Sequence, residues 1–239
     1  MAGSRYGYNT YGFNTYGYKK KKKRGGTLFI LVGLILIGSA AGLTLYNIWD
    51  GERAACASAD ILEKLDAALQ EDPGEPSIAS PVRTGSDEIQ AQSEYADNSM
   101  YYQAVMPVET IDGYDYIGIL EIPSLSLRLP VMDHWDYERL RISPCRYSGS
   151  YYENDLVICA HNYQRHFSPV KSIGMGEDIY FITVDKVVYH YVVTNIETVA
   201  PTAVSQMTEK NPAGADWDMT LFTCNTGGQT RCAVRCARA

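Results

Sequence analysis

The first 24 residues of this 239-residue chain contain no acidic side chain, and residues 25 to 49 contain no charged side chain of either sign. Seven of the 21 Lys and Arg fall in that opening stretch (Arg5, Lys19 to Lys23, Arg24), leaving 14 basic against 28 acidic residues and a formal charge of −14 for the rest. A basic run this short is no nucleic-acid domain, and the acidic remainder repels a phosphate backbone. The chain also lacks a glycine-rich phosphate loop, a Walker-type motif and any Cys/His spacing that would hold a metal. No cofactor, metal or nucleic-acid partner is therefore expected.

The uncharged stretch is apolar where it matters: Leu28-Phe-Ile-Leu-Val-Gly-Leu-Ile-Leu-Ile37 forms its core. About 20 helical residues cross the ~30 Å hydrocarbon layer. Basic residues stay on the cytoplasmic side, so Lys19 to Arg24 predict an inside amino end and an outside bulk. Tyr46 and Trp49 suit the outer interface. The competing reading is a cleaved signal peptide with Ser39-Ala-Ala41 as the cleavage site. The apolar stretch is long for that, so an uncleaved single-pass anchor over 25–49 is expected. Arg53, three residues before Cys56, argues against lipidation there.

Residues 6 to 18 repeat Tyr6-Gly-Tyr-Asn-Thr, Tyr11-Gly-Phe-Asn-Thr, Tyr16-Gly-Tyr. This composition builds no core, so 1–24 is expected to be a disordered cytoplasmic tail. Its aromatics would serve as contacts for a partner or the lipid surface, or do nothing. Glu52 to Gln70 places Ile61, Leu62, Leu65, Ala68 and Leu69 on one helical stripe, which Asp72-Pro73-Gly74 stops. Residues 71 to 106 are rich in Pro, Ser, Glu, Asp and Gln, so 50–106 is predicted to be an extracellular helix and linker, a stalk below the domain.

The texture changes at about Pro107. Tyr116 to Ile122, Leu127 to Met132, Leu156 to Ala160, Ile179 to Val184, Val187 to Val199, Met219 to Thr223 and Arg231 to Arg238 read as strands, and Asp185-Lys186 as a hairpin turn. Brief helical pieces are expected near Tyr137 to Arg141 and Val204 to Met207. Several short strands favour a small β-barrel or sandwich over 107–239.

All six cysteines (Cys56, Cys145, Cys159, Cys224, Cys232, Cys236) fall on the outer side, where disulfides can form. Cys232 and Cys236 lie ~13 Å apart along a strand at 3.3 Å per residue, too far to pair. Alternation turns both away from Arg231 and into packing. Cys224 differs by position. It ends an apolar strand and begins the loop Asn225 to Thr230, which returns to Arg231 at the head of the next strand. A cation beside the sulfur favours thiolate, and the same guanidinium can hold a developing oxyanion. A thiol enzyme also needs a proton donor for the leaving amine. Of four histidines, His190 lies inside a strand, His134 and His166 in polar loops, and His161 at a strand exit.

Thr220-Leu-Phe-Thr-Cys224 resembles the Thr-Leu-x-Thr-Cys signature of the sortase family, with Arg231 following as that family's arginine does. Ala160-His161-Asn162 resembles its histidine segment, and Tyr116-Ile-Gly-Ile-Leu-Glu-Ile-Pro123 its first strand. The resemblance implies an eight-stranded β-barrel behind a transmembrane helix and stalk. It implies catalysis by Cys224, His161 and Arg231, with Thr223 and Asn162 beside the substrate. It also implies a location outside a Gram-positive-type cell. The substrates implied are secreted proteins bearing a C-terminal Leu-Pro-x-Thr-Gly-like sorting motif. The acceptor would be an amine of a peptidoglycan precursor or a pilin. Asp133-His-Trp135 looks like the lid of pilin-building sortases, but it follows the second strand where such lids precede the barrel, so it is read as a loop.

Two other functions compete. An L,D-transpeptidase-like acyltransferase or hydrolase resembles a Ser/Thr-His-Gly-Cys arrangement, whereas His161 lies 63 residues before Cys224. A non-catalytic surface assembly module would leave Cys224 no more reactive than an ordinary exposed thiol.

Overall fold

The structure, a computed structural model, describes Gly3, Gly7, Gly12 and residues 25–70, 105–209 and 217–239. Apart from those three glycines the expected tail, and nearly all of the expected linker, lie outside these residues. One helix, α1 (Gly25–Gln70), covers both helical segments read from the sequence. Nothing between Trp49 and Glu52 stops it: Asp50-Gly51 contains no proline, and a single interior glycine costs only about 1 kcal/mol relative to alanine. The chain divides into two compact units between Tyr46 and Asn47. In the first, Leu28 to Leu36 and Leu43 to Tyr46 present large apolar side chains outward, and the helix is long and apolar enough to cross a membrane.

Among the described residues, the second unit holds the rest of α1 and nine strands: β1 (Glu109–Ile111), β2 (Tyr114–Ile122), β3 (Leu127–Met132), β4 (Cys145–Ser148), β5 (Leu156–Ala160), β6 (Asp178–Thr183), β7 (Val188–Val199), β8 (Met219–Cys224) and β9 (Arg231–Arg238). A short helix, α2 (Val204–Thr208), lies between β7 and β8. The order β1-β2-β3-β4-β5-β8-β9-β7-β6, with β6 returning to β2, closes eight strands into a barrel. β1 and β6 pair with successive stretches of β2, Tyr114 to Tyr116 and Gly118 to Glu121. Closure needs a bulge at Gly118, where φ is +155° and an added Cβ would stand 2.2 Å from the Ile182 carbonyl oxygen.

The predicted strands are present, and Asp185-Lys186 turns β6 into antiparallel β7 with Lys186 left-handed at φ 66°. β1 and β4 were not foreseen. They are three and four residues long, and Glu-Thr-Ile and Cys-Arg-Tyr-Ser show no run of alternating apolar residues. The expected helical pieces are a 3-10 turn (Arg139–Arg141) and α2.

Alternation along each strand gives the barrel two apolar faces. Ile117, Leu120, Ile158, Leu221 and Val234 fill the interior. Ile119, Val157, Cys159, Phe222 and Ala233 face outward and are covered by Ile61 and Leu65 of α1, Met207 of α2, Leu140 and Trp217. Full burial of one such side chain is worth about 1.5–3 kcal/mol, so the outer cover is a second core. Arg128 adds a forked pair to Asp66 of α1 at 2.5 and 2.8 Å.

Candidate active site

Strand pairing brings the chemistry-bearing residues together. β5 and β8 run parallel with Ala160 opposite Thr223, so His161 and Cys224 leave neighbouring strands at the same level. β8 and β9 are antiparallel with Cys224 directly opposite Arg231. Adjacent strands lie about 4.8 Å apart, which sets the spacing of the three backbones. By alternation Cys224 shares the outward face with Phe222, and Arg231 shares it with Ala233.

Thr223 sits at this junction. Its side chain is 1 % exposed, and its hydroxyl donates to the Ala160 carbonyl at 2.8 Å. It therefore pins β8 to β5 one residue before both Cys224 and His161. The β8–β9 loop is held as tightly. Asn225 N–H donates to the Thr230 carbonyl at 2.9 Å, its side-chain amide donates to the Thr230 hydroxyl at 2.9 Å, and Gly228 N–H donates to the Asn225 carbonyl at 2.8 Å. Gly227 and Gly228 take φ of 86° and 72°, a left-handed pair that side chains resist. Arg231 turns its Nη1 onto this loop, donating to the Gly228 and Thr230 carbonyls at 2.9 and 3.2 Å. Asn162, half-buried beside His161, has a buried side-chain oxygen without a hydrogen-bond partner among the described residues.

All six cysteines are free. Cys224 is partly accessible and Cys56 exposed; the other four are buried. Burial pushes the Cys159 thiol up to about 12, with Cys224 adding to the effect, and raises Cys145, Cys232 and Cys236 as well. These four are inert thiols at neutral pH, and Cys232 and Cys236 lie in the barrel interior.

Residues 120–239 match the profile of the Sortase domain family. The chain belongs to the sortase family. Solved structures similar to it include sortase C of Clostridium perfringens SM101, with 24% identity over 52% of this chain and 70% of that one at a TM-score of 0.46. Sortase C1 of Streptococcus suis shares 25% identity over 52% and 73% at 0.45. Sortase C of Streptococcus pneumoniae shares 26% over 52% and 68% at 0.45. Among proteins of curated function, none matches the sequence.

In this sortase the surroundings of His161 were not legible beforehand. Burial lowers its affinity for a proton, nearby Asp50 opposes that, and Arg141 reinforces it. The ring lies 4.9 Å from that of Tyr163 and lines a cleft with Tyr137, Glu138, Arg141 and Tyr163. Tyr163 two residues on was an available aromatic signal; Asp50 had none. His166, read as a loop residue, is fully buried, with its ring against the Ala54 backbone of α1. His190 is bonded to Asp178 at 2.8 Å and stacked on Tyr180, while His134 stays exposed beside Asp133. Asp133 and His134 form a bend after β3, and Trp135 follows it. There Arg146 holds Asp133 at 3.0 Å, and Trp135 stacks on Tyr147, whose ring leans on Phe222.

Proposed function

We propose that this sortase cleaves a C-terminal sorting motif of Leu-Pro-x-Thr-Gly type through a thioacyl-enzyme and passes the acyl group to an amine of the cell wall or a pilin. The observation carrying this is the convergence of Cys224, His161 and Arg231 at three adjoining strand ends. The thiolate of Cys224 attacks the Thr carbonyl of the motif. The oxyanion that forms lies next to the Arg231 side of the site, where a guanidinium stabilises developing charge. His161 gives its proton to the departing glycine nitrogen, the C–N bond breaks, and a thioester remains on Cys224. An incoming amine then attacks the thioester, His161 takes its proton, and the C–S bond breaks to return the Cys224 thiolate beside a protonated His161. Asn162 offers its unpartnered oxygen to a peptide N–H, while Thr223 serves the site through the bond that levels the two strands. α1 anchors the enzyme with its amino end in the cytoplasm and the barrel outside.

The test uses the full chain in detergent with Leu-Pro-x-Thr-Gly peptides and an amine acceptor. Intact-mass spectrometry should show an acyl adduct that Cys224→Ala abolishes, and ligated product that needs both His161 and Arg231. An adduct that survives in Cys224→Ala refutes the assignment.

A further inference from the structure

Asp50 is the first charged residue after the uncharged stretch, and it does not face water: it is 8 % exposed. Its Oδ2 accepts the Tyr163 hydroxyl proton at 2.5 Å, and its Oδ1 accepts from Arg53 at 3.1 Å. The Tyr163 ring in turn lies 4.9 Å from that of His161, tilted by 43°. It also meets the ring of buried His166 at 5.5 Å. Gly51 brings the α1 backbone against the same tyrosine, where an added Cβ would touch the ring at 3.8 Å. The imidazole at the strand exit is thus backed by a tyrosine whose position is set by a carboxylate on another element, 113 residues away.

We infer that Asp50 and Tyr163 are positioning residues: a carboxylate on α1 holds Tyr163, and the pair sets the orientation and charge of His161. The inference rests on the proposed role of His161 as the acid and base of transfer. The groups around that imidazole come from four elements. α1 supplies Asp50 and its partner Arg53, and the turn after β3 supplies Glu138 and Arg141. Its own loop supplies Tyr163 and His166, and β8 supplies Cys224. Burial disfavours the imidazolium, and Arg141 disfavours it further. Asp50 is the group that favours it. The leaving amine needs the imidazolium, so a site that buries its histidine needs this opposing charge. A carboxylate serving only to fasten the helix would have no such effect on the ring.

The experiment uses the full chain in detergent micelles as wild type, Asp50→Asn, Asp50→Glu and Tyr163→Phe. Three quantities are read for each: the titration of His161 by NMR of labelled histidine, the pH profile of sorting-peptide turnover, and the thermal midpoint. His161→Gln assigns the resonance. Asp50→Asn should move the His161 titration to lower pH, lower kcat by about tenfold and leave KM within about twofold, because acid–base catalysis is lost while binding is not. The imidazolium-dependent limb of the profile should move the same way. Asp50→Glu should restore both, and Tyr163→Phe, which keeps the ring, should behave like Asp50→Asn. A lower thermal midpoint with an unmoved His161 titration in both Asp50→Asn and Tyr163→Phe overturns the inference. If one of the two fails to fold, the titration of the other decides. A wild type that cleaves no sorting peptide while its His161 titration follows Asp50 refutes the proposed function and supports the pair. Cleavage with an unmoved titration does the reverse.

Discussion

Thr223→Val replaces a buried hydroxyl with a methyl of nearly the same shape, so it isolates the bond that levels β8 against β5. Thr223 is 1 % exposed, so its hydroxyl meets the Ala160 carbonyl away from solvent. An intramolecular hydrogen bond is worth about 0.5–1.5 kcal/mol net, and leaving a buried partner short costs about 1–3 kcal/mol. The loss should therefore be about 1–3 kcal/mol. For a unit of this size each kcal/mol moves the thermal midpoint by about 2–4 °C, which gives a fall of about 2–12 °C by circular dichroism. The functional effect should be larger than the stability effect. Cys224 and His161 each lie one residue beyond the bond, and a misplacement of about 1 Å in a catalytic constellation costs on the order of a hundredfold. Turnover of a sorting peptide should drop by about tenfold to a hundredfold in kcat with KM little changed. Thr223→Ser keeps the hydroxyl and should keep most of the activity. If Thr223→Val loses stability but turns over like wild type, the bond does not align the catalytic strand ends, and the reasoning is wrong.

Arg235 is 4 % exposed and bridges β9 to its surroundings. It donates to Glu197 at 2.8 Å, the Thr220 hydroxyl at 2.7 Å, the Met207 carbonyl at 3.1 Å and the Gln206 carbonyl, with its guanidinium 5.0 Å from the Trp217 ring. The Glu197 side chain is 40% exposed and recovers water, so the loss comes from the buried Thr220 hydroxyl and Met207 carbonyl left short of a donor; Arg235→Ala should lose about 1–3 kcal/mol in urea unfolding, and an unchanged stability contradicts it. Burial drives His166 down to about 4, with His161 adding and the Ala54 backbone opposing. The folded form binds fewer protons than the unfolded one, whose histidine titrates near 6.5. Stability is therefore full above about 6.5 and should fall by about 3 kcal/mol as pH drops towards 4. His166→Phe should flatten that slope, and an unchanged slope assigns it elsewhere. In the native protein iodoacetamide should label Cys56 and Cys224 only, with the four buried thiols reacting after unfolding; rapid native labelling of Cys159 contradicts the packing.

Much of this protein was determined by local pattern. The uncharged stretch to Trp49 specifies an apolar helix by composition alone. Leu127 to Met132, Leu156 to Ala160 and Arg231 to Arg238 declare themselves strands because alternation and β-branched residues are visible within a few positions. The pairing of Cys224 with Arg231 follows from a short loop between consecutive strands, also a local fact. The rest was decided by contacts between distant residues. That β5 lies parallel to β8, placing His161 level with Cys224, joins residues 63 positions apart in the chain, and no periodicity records which strands become neighbours. β1 and β4 exist because β2, β3 and β5 offer them open edges, not because Glu-Thr-Ile or Cys-Arg-Tyr-Ser prefers to be extended. The burial of His166 and the place of Asp50 behind Tyr163 depend on the part of α1 from Asn47 onward packing against the barrel. A helix stripe shows that it must cover something, and only the folded surface decides what.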